Sequence, residues 1–281
     1  MTSRWSDFVR RFSRNAAGMI GLALILFVLL MALLADVFFP GNPLSIAGDP
    51  FIWPGTDPRF PLGTDILGRD ILAGMVHGSR VSLIVGFTAM LMAVVMGTVL
   101  GALAGYYGGV VDAAVMRLVE LFQTMPSLIF TIVVMVSLTP SIYAVVLAIG
   151  LTSWPQVARL VRAEVLKIRD AEFILALKVI GLDNRRIIVM HLFPNVISIV
   201  VVTASIIAAH AILIEAAISF LGLGDPNLIS WGGMIGWGKE ALRSAWYMAA
   251  LPGVTIFVTV LALSLLGNGL NDASHPHGAH Q

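Results

Sequence analysis

Six solidly apolar runs, at residues 18–39, 83–103, 116–138, 143–161, 196–221 and 248–266, dominate the hydropathy pattern of the chain. Crossing the hydrocarbon core of a bilayer takes roughly 20 residues of helix, so the pattern predicts six transmembrane helices. A membrane barrel would instead show segments of about ten residues with alternating polarity. These runs do not alternate, and an all-α membrane protein is expected.

Polar positions inside the runs are few and patterned. Gly97, Gly101 and Gly105 recur at every fourth position of the second run, which puts three glycines on one helix face and predicts close approach of a neighbouring backbone. In the third run Arg117, Glu120, Thr124, Ser127 and Thr131 follow helical spacing and predict one polar face, with Pro126 a kink or break. That face reads either as part of a solute path or as an ion pair plus hydroxyls bonded to their own helix. In the fifth run Glu215 shares a face with Ala211 and Ser219, with His210 off it, and reads as a buried hydrogen-bonded carboxyl rather than a proton relay.

The breaks carry their own signals. Residues 40–82 are rich in proline and glycine and predict an ordered outer loop without helix. Residues 222–247 form a second loop rich in glycine and tryptophan. Residues 159–186 hold eleven charged residues in 28 positions, yet Phe173, Leu177 and Ile180 fall at i, i+4, i+7 and predict a short amphipathic helix. Gly181 suits a left-handed C-cap, Asp183 the cap of a second helix carrying Ile187, Ile188 and His191, and Pro194 its end. An apolar stripe on a solvent-exposed helix forgoes about 1.5–3 kcal/mol per side chain left unburied. Either the chain's own bundle or a partner is expected to cover it.

Composition agrees with a membrane protein. The mean hydropathy is +0.92 and 12% of residues are charged, against about a quarter in soluble domains. Twelve of the 17 Lys and Arg residues fall on the side of the N-terminus, Arg117 and the 159–186 segment, and five on the other. The positive-inside rule then puts both termini in the cytoplasm. The first run follows four arginines but exceeds the 7–15 apolar residues of a secretory signal, so it is expected to stay as an anchor. The expected organisation is a cytoplasmic segment 1–17, a first helix 18–39, an outer loop 40–82, a five-helix core 83–271 with inner loop 162–195 and outer loop 222–247, and a cytoplasmic tail 272–281. The chain has no cysteine, which leaves no disulfide or thiol chemistry.

Catalytic motifs are absent. There is no G-x-x-x-x-G-K-[ST] phosphate loop, no H-E-x-x-H and no G-x-S-x-G. No catalytic residue and no bound metal are expected; His275, His277 and His280 read as a solvated terminus. Energy for transport must come from a partner or a gradient. A gradient-driven transporter using Glu120 and Glu215 is one reading, although the inverted repeats common in such proteins are not evident.

The segments "LGTDILGRDILAGMVHGSRVSL", "AGYYGGVVDAAVMR", "EAAISFLGLG" and "SWGGM" resemble the permease subunits of dipeptide, oligopeptide and nickel ABC importers. The inner loop is similar to that family's Glu-Ala-Ala signature: Leu175, Ala176 and Leu177 stand at its start, and Gly181 and Phe193-Pro194 keep its spacing. In "LLGNGLNDASHP" Asn268 and Asn271 replace charged residues of the family pattern.

The resemblance implies a type I ABC importer permease fold in a bacterial inner membrane, importing di- or oligopeptides, with nickel or another small solute as the alternative. Its implied partners are a second permease, two cytoplasmic ATP-binding subunits, an external solute-binding protein and membrane lipid, with no nucleic acid. ATP and Mg would be held by the partner subunits and no cofactor by this chain. Glu172, Phe173, Ala176, Leu177, Ile180, Gly181, His191 and Pro194 would couple to the ATPases through the 171–194 loop. Glu120, Thr124, Ser127, Thr131, Glu215 and Ser219 would line the path. By position and composition, Trp53, Asp65, Arg69 and Trp231 would meet the binding protein.

Overall fold

A computed structural model describes residues 2–274; the histidine-containing tail lies outside them. The helices are α1 (Thr2–Arg14), α2 (Ala16–Leu33), α3 (Ala35–Phe38), α4 (Ile71–Tyr107), α5 (Gly109–Gln123), α6 (Ser127–Val136), α7 (Ile142–Arg169), α8 (Glu172–Val179), α9 (Asn184–Ile187), α10 (Phe193–Phe220), α11 (Trp231–Gly238) and α12 (Tyr247–Ser274). A π-helical turn, Ile188–Leu192, joins α9 to α10, and a 3₁₀ turn, Lys239–Ala241, follows α11. No β-strand occurs among the described residues.

Five helical stretches are long and apolar enough to cross a membrane: α2, α4, α7, the continuous run 184–220, and α12. The third apolar run is not straight: α5 and α6 are together apolar and long enough to count as a sixth, but they meet at 83°, the bend of a broken span or a re-entrant loop. Pro126 lies in that break and is the N-cap residue of α6; a proline cannot donate the backbone bond that would carry α5 onward. Other boundaries differ from expectation too: α2 ends at Leu33, α7 runs on to Arg169 and α12 to Ser274. α4 starts at Ile71 rather than near residue 83, with Asp70 accepting from the Leu72 N–H at 2.8 Å as its cap; burial raises the Asp70 pKa above its ordinary value. The outer loop 222–247 contains the short helix α11, capped by Ser230.

Long-range hydrogen bonds sort the helix ends into two groups. At one end Arg80 of α4 reaches the Ala32 and Leu33 carbonyls and Asp36, Ile142 of α7 donates to Asp225, and the Tyr247 hydroxyl of α12 donates to the Ile52 and Thr64 carbonyls. At the other end Asn15 donates to Asp272 at 2.9 Å, Arg162 of α7 pairs with Asp112 of α5, and Tyr106 of α4 donates to Asn184 at 2.6 Å. The chain therefore runs back and forth between these two ends.

The centre of the bundle is the α4–α7 contact. A Cβ on Gly97 would fall 2.5 Å from Val157 Cβ, one on Gly101 would collide with the Ala158 carbonyl, and one on Gly105 would lie 2.8 Å from Val165 Cβ. The glycine stripe is thus a packing surface. Phe122 of α5 packs edge-on against Trp154 of α7 at 5.5 Å and against Phe130 of α6 at 5.4 Å, which seats the bent pair on the same helix.

Overpacking a close helix contact costs about 1–3 kcal/mol. Gly101→Val is therefore expected to lower the thermal midpoint of the purified chain, whereas Gly253→Ala, where a Cβ meets open space, causes no loss. Equal midpoints for the two variants would remove the α4–α7 approach as the organising contact.

Candidate coupling surface and translocation face

The 170–195 segment folds back on the bundle along one side only. Ile174, Ile187 and Leu192 are buried, and Leu177 and Leu182 pack beside them against Tyr106, Val119, Trp154, Val157, Val161 and Val165. Gly181, at φ +80°, ends α8, and the Leu182 N–H reaches back to the Leu177 carbonyl at 3.1 Å. This is the bond pattern of a left-handed helix terminus. Arg169 donates to the Gly105 carbonyl at 3.2 Å, and with the Asp112–Arg162 and Tyr106–Asn184 pairs it fastens the segment's base to α4, α5 and α7.

The other side is open. Phe173, Val179 and Ile180 are 49%, 86% and 76% exposed, with Leu175 and Ala176 between them. Val189, Met190 and Phe193, past the turn, are exposed as well, as are the charged Glu172, Arg185 and Arg186. The predicted stripe is corrected in one position: Leu177 turns half inward, and Val179 takes its place outside. α8 is apolar on both sides, so spacing alone could not choose the face.

Two further expectations change here. The Asp183 side chain makes no cap bond, although the residue occupies the N-cap position of α9. The second helix also does not end before Pro194. It passes through the π turn, whose wider ladder lets Phe193 donate to the Ile188 carbonyl and carries the chain past the donor that proline lacks. The exposed Asn195 amide donates to the His191 carbonyl at 2.6 Å, a carbonyl at the rim of that turn. His191 and the exposed Pro194 thus lie where segment and span join.

The third-run polar face does not survive the break. Glu120, Thr124 and Ser127 are exposed, and Thr124 donates to the Leu121 carbonyl at 2.7 Å. Thr131 is fully buried, donating to the Ser127 carbonyl at 2.7 Å with its hydroxyl 3.2 Å from that of Thr152 on α7. An 83° bend rotates residues beyond Pro126 off the line that a straight helix would have given them.

Glu215 is 2% exposed and accepts from Ser82 on α4 at 3.0 Å and from Ser219, one turn along, at 2.7 Å. The Trp231 N–H lies 3.4 Å from the same Ser82 hydroxyl, and the Trp231 indole donates to the Met75 carbonyl at 2.9 Å. Glu215 and Ser219 therefore belong to a junction of α4, α10 and α11. His210 is exposed on another side of α10 from Glu215, in a stripe with Ile206 and Leu213. Ionisable groups at such depths face protein or water rather than lipid, and a histidine within an apolar run carries that signal in the sequence itself.

Three of the four residues expected at the outer surface turn inward. Trp231 is fully buried, and Asp65 and Arg69 are buried as an ion pair at 2.5 Å with the guanidinium 4.0 Å over the Trp237 ring. They tie the outer loop to α11. Trp53 is half-exposed and packs on Tyr247, ring centres 5.2 Å apart.

A multi-helix membrane bundle that presents an apolar segment beyond one end has the build of a membrane transport subunit. Residues 97–277 match the binding-protein-dependent transport system inner membrane component, and residues 3–57 match the N-terminal transmembrane domain of oligopeptide transport permease C. The chain belongs to this family of ABC transporter permeases and is an integral inner-membrane protein. It is 34% identical over 276 residues to the di/tripeptide transport system permease protein DppC of Pseudomonas aeruginosa, covering 96% of this chain and 91% of that one. It is 34% identical over 279 residues to the oligopeptide transport system permease protein OppC of Bacillus subtilis, covering 98% and 90%. A chain of the MetNI methionine ABC transporter, solved in inward-facing conformations, superposes with a TM-score of 0.62 at 18% identity, covering 73% of this chain and 98% of that one. That match concerns the fold.

Removing the carboxylate at the α4–α10–α11 junction strands buried hydroxyls, at about 1–3 kcal/mol for a group left unsatisfied. Glu215→Ala is expected to lower the thermal midpoint more than Glu215→Gln, which keeps acceptor and shape. The reverse order in a melt would remove the structural role of the junction.

Proposed function

We propose that this chain forms half of the translocation path of an ATP-driven importer of dipeptides and oligopeptides and takes its driving motion from cytoplasmic ATPases through residues 171–194. The observation that carries this reading is the exposed apolar surface of Phe173, Val179 and Ile180 on a segment whose other side is anchored in the bundle. Such a surface is left without cover by the described residues, and a groove on a partner would bury it. The names of the relatives, over nearly the whole length of the chain, support peptides as the solute.

In this reading both termini and the segment lie in the cytoplasm, in accord with the distribution of Lys and Arg. A second permease completes the path, two ATP-binding subunits hold ATP and Mg, and a solute-binding protein delivers from outside. This chain carries no hydrolytic site. Closing of the ATPases moves the segment, and the bundle follows as a rigid body.

The chain's lack of cysteine provides the test. With Val179→Cys in the complex expressed with its partners, a thiol crosslinker is expected to join the chain to an ATP-binding subunit, and blocking that thiol with a bulky reagent is expected to abolish uptake of a labelled dipeptide. Crosslinks confined to this chain, with uptake unchanged, would return the segment to a purely structural role. Uptake of nickel rather than dipeptide would move the solute assignment and leave the coupling assignment in place.

A further inference from the structure

The function proposed above makes no use of α1. Its sequence places Trp5, Phe8, Val9 and Phe12 at i, i+3, i+4, i+7, while Arg10, Arg11 and Arg14 fall on the opposite side. Phe8 and Phe12 stack with centroids 6.5 Å apart. Arg10, Arg11 and Arg14 are exposed, and the one acid of the helix, Asp7, lies 3.4 Å from Arg10. With Arg4 the helix carries three positive charges in excess.

Its place in the molecule is fixed by packing. The Phe12 ring rests against Gly18 and Gly269, where α2 and α12 come within backbone contact, so that a Cβ on either glycine would lie 3.1–3.2 Å from the ring. Asn15 is extended, at φ −84° and ψ 101°, accepts from the Gly18 N–H as the cap of α2, and donates to Asp272. One residue therefore separates a basic amphipathic helix from the start of a transmembrane span. Val9 remains 48% exposed on the apolar side.

An amphipathic helix with a basic polar side, held at the end of a span, meets the boundary between acyl chains and headgroups. We infer that α1 is a lipid-reading element: Val9 enters the acyl boundary, and Arg10, Arg11 and Arg14 hold the phosphate-bearing anionic headgroups of the adjacent leaflet. Its occupant is an anionic lipid surface, chosen by the charge excess of the helix and its attachment to α2. The inference holds whatever solute is carried.

Each basic residue near an anionic surface contributes roughly fivefold to its occupancy, so three together predict a clear preference. The full chain, reconstituted in nanodiscs with mixed phosphatidylglycerol and phosphatidylcholine and then released into a mass spectrometer, is expected to retain phosphatidylglycerol at least about tenfold over its share of the mixture. The triple variant Arg10→Gln, Arg11→Gln, Arg14→Gln is expected to lose that enrichment, and the corresponding triple Arg→Lys variant to keep it. An environment-sensitive dye on Val9→Cys is expected to shift to the blue in vesicles containing phosphatidylglycerol and to return toward its aqueous emission when the three arginines are replaced. No enrichment in the native chain, enrichment that survives in the glutamine variant, or a Val9 label that stays aqueous would each overturn the assignment.

Discussion

The backbone approach of α4 to α7 is the constraint on which the rest depends. Helices in a bilayer are not driven together by water, so they associate where shape allows dense packing and where polar groups find partners. Gly97, Gly101 and Gly105 supply the shape, admitting Val157, Ala158 and Val165 of α7 to positions that any side chain would occupy. Once α7 is seated, Arg162 and Arg169 are delivered to Asp112 and the Gly105 carbonyl, and its first residue to Asp225. The 170–195 segment is laid on a floor that these contacts have already fixed.

Polar groups inside the bundle follow a division of labour. Thr131, Thr203, Thr255, Thr259 and Ser264 each return a hydrogen bond to the carbonyl four residues earlier, so their helices satisfy them internally. A carboxylate has no such local solution. Glu215 draws donors from α4 and from the next turn of its own helix, and through Ser82 it meets the amide at the start of α11. The end of the bundle that carries α11 is joined to the core by that node and by Arg80, whose guanidinium closes the free carbonyl end of α2.

The six apolar runs, the glycine stripe and the turn at Gly181 were legible because each depends on residues within a few turns of one another. The bend at Pro126 was legible as a break, but its angle was not, and the angle decides that Thr131 is buried while Glu120 is not. The burial of Arg69 and Trp231 was not legible for a related reason: their partners Trp237, Met75 and Ser82 lie far away in sequence, and composition cannot report a pairing across 149 residues. The Asp65–Arg69 pair itself is local, at four residues. Leu177 shows a subtler limit: a short helix with apolar residues all round has no face that periodicity can name.

The π turn at Ile188–Leu192 does more than admit a proline. It keeps the helix continuous past Pro194, so the segment is joined to the membrane domain by helix as well as by its packing. With it, residues 184–220 form one rod of 37 residues, about 55 Å long at 1.5 Å per residue. A rod of that length converts a tilt of about 5° at one end into a displacement of about 5 Å at the other. The base of the segment and the Glu215 junction thus share a single lever, and neither can tilt alone.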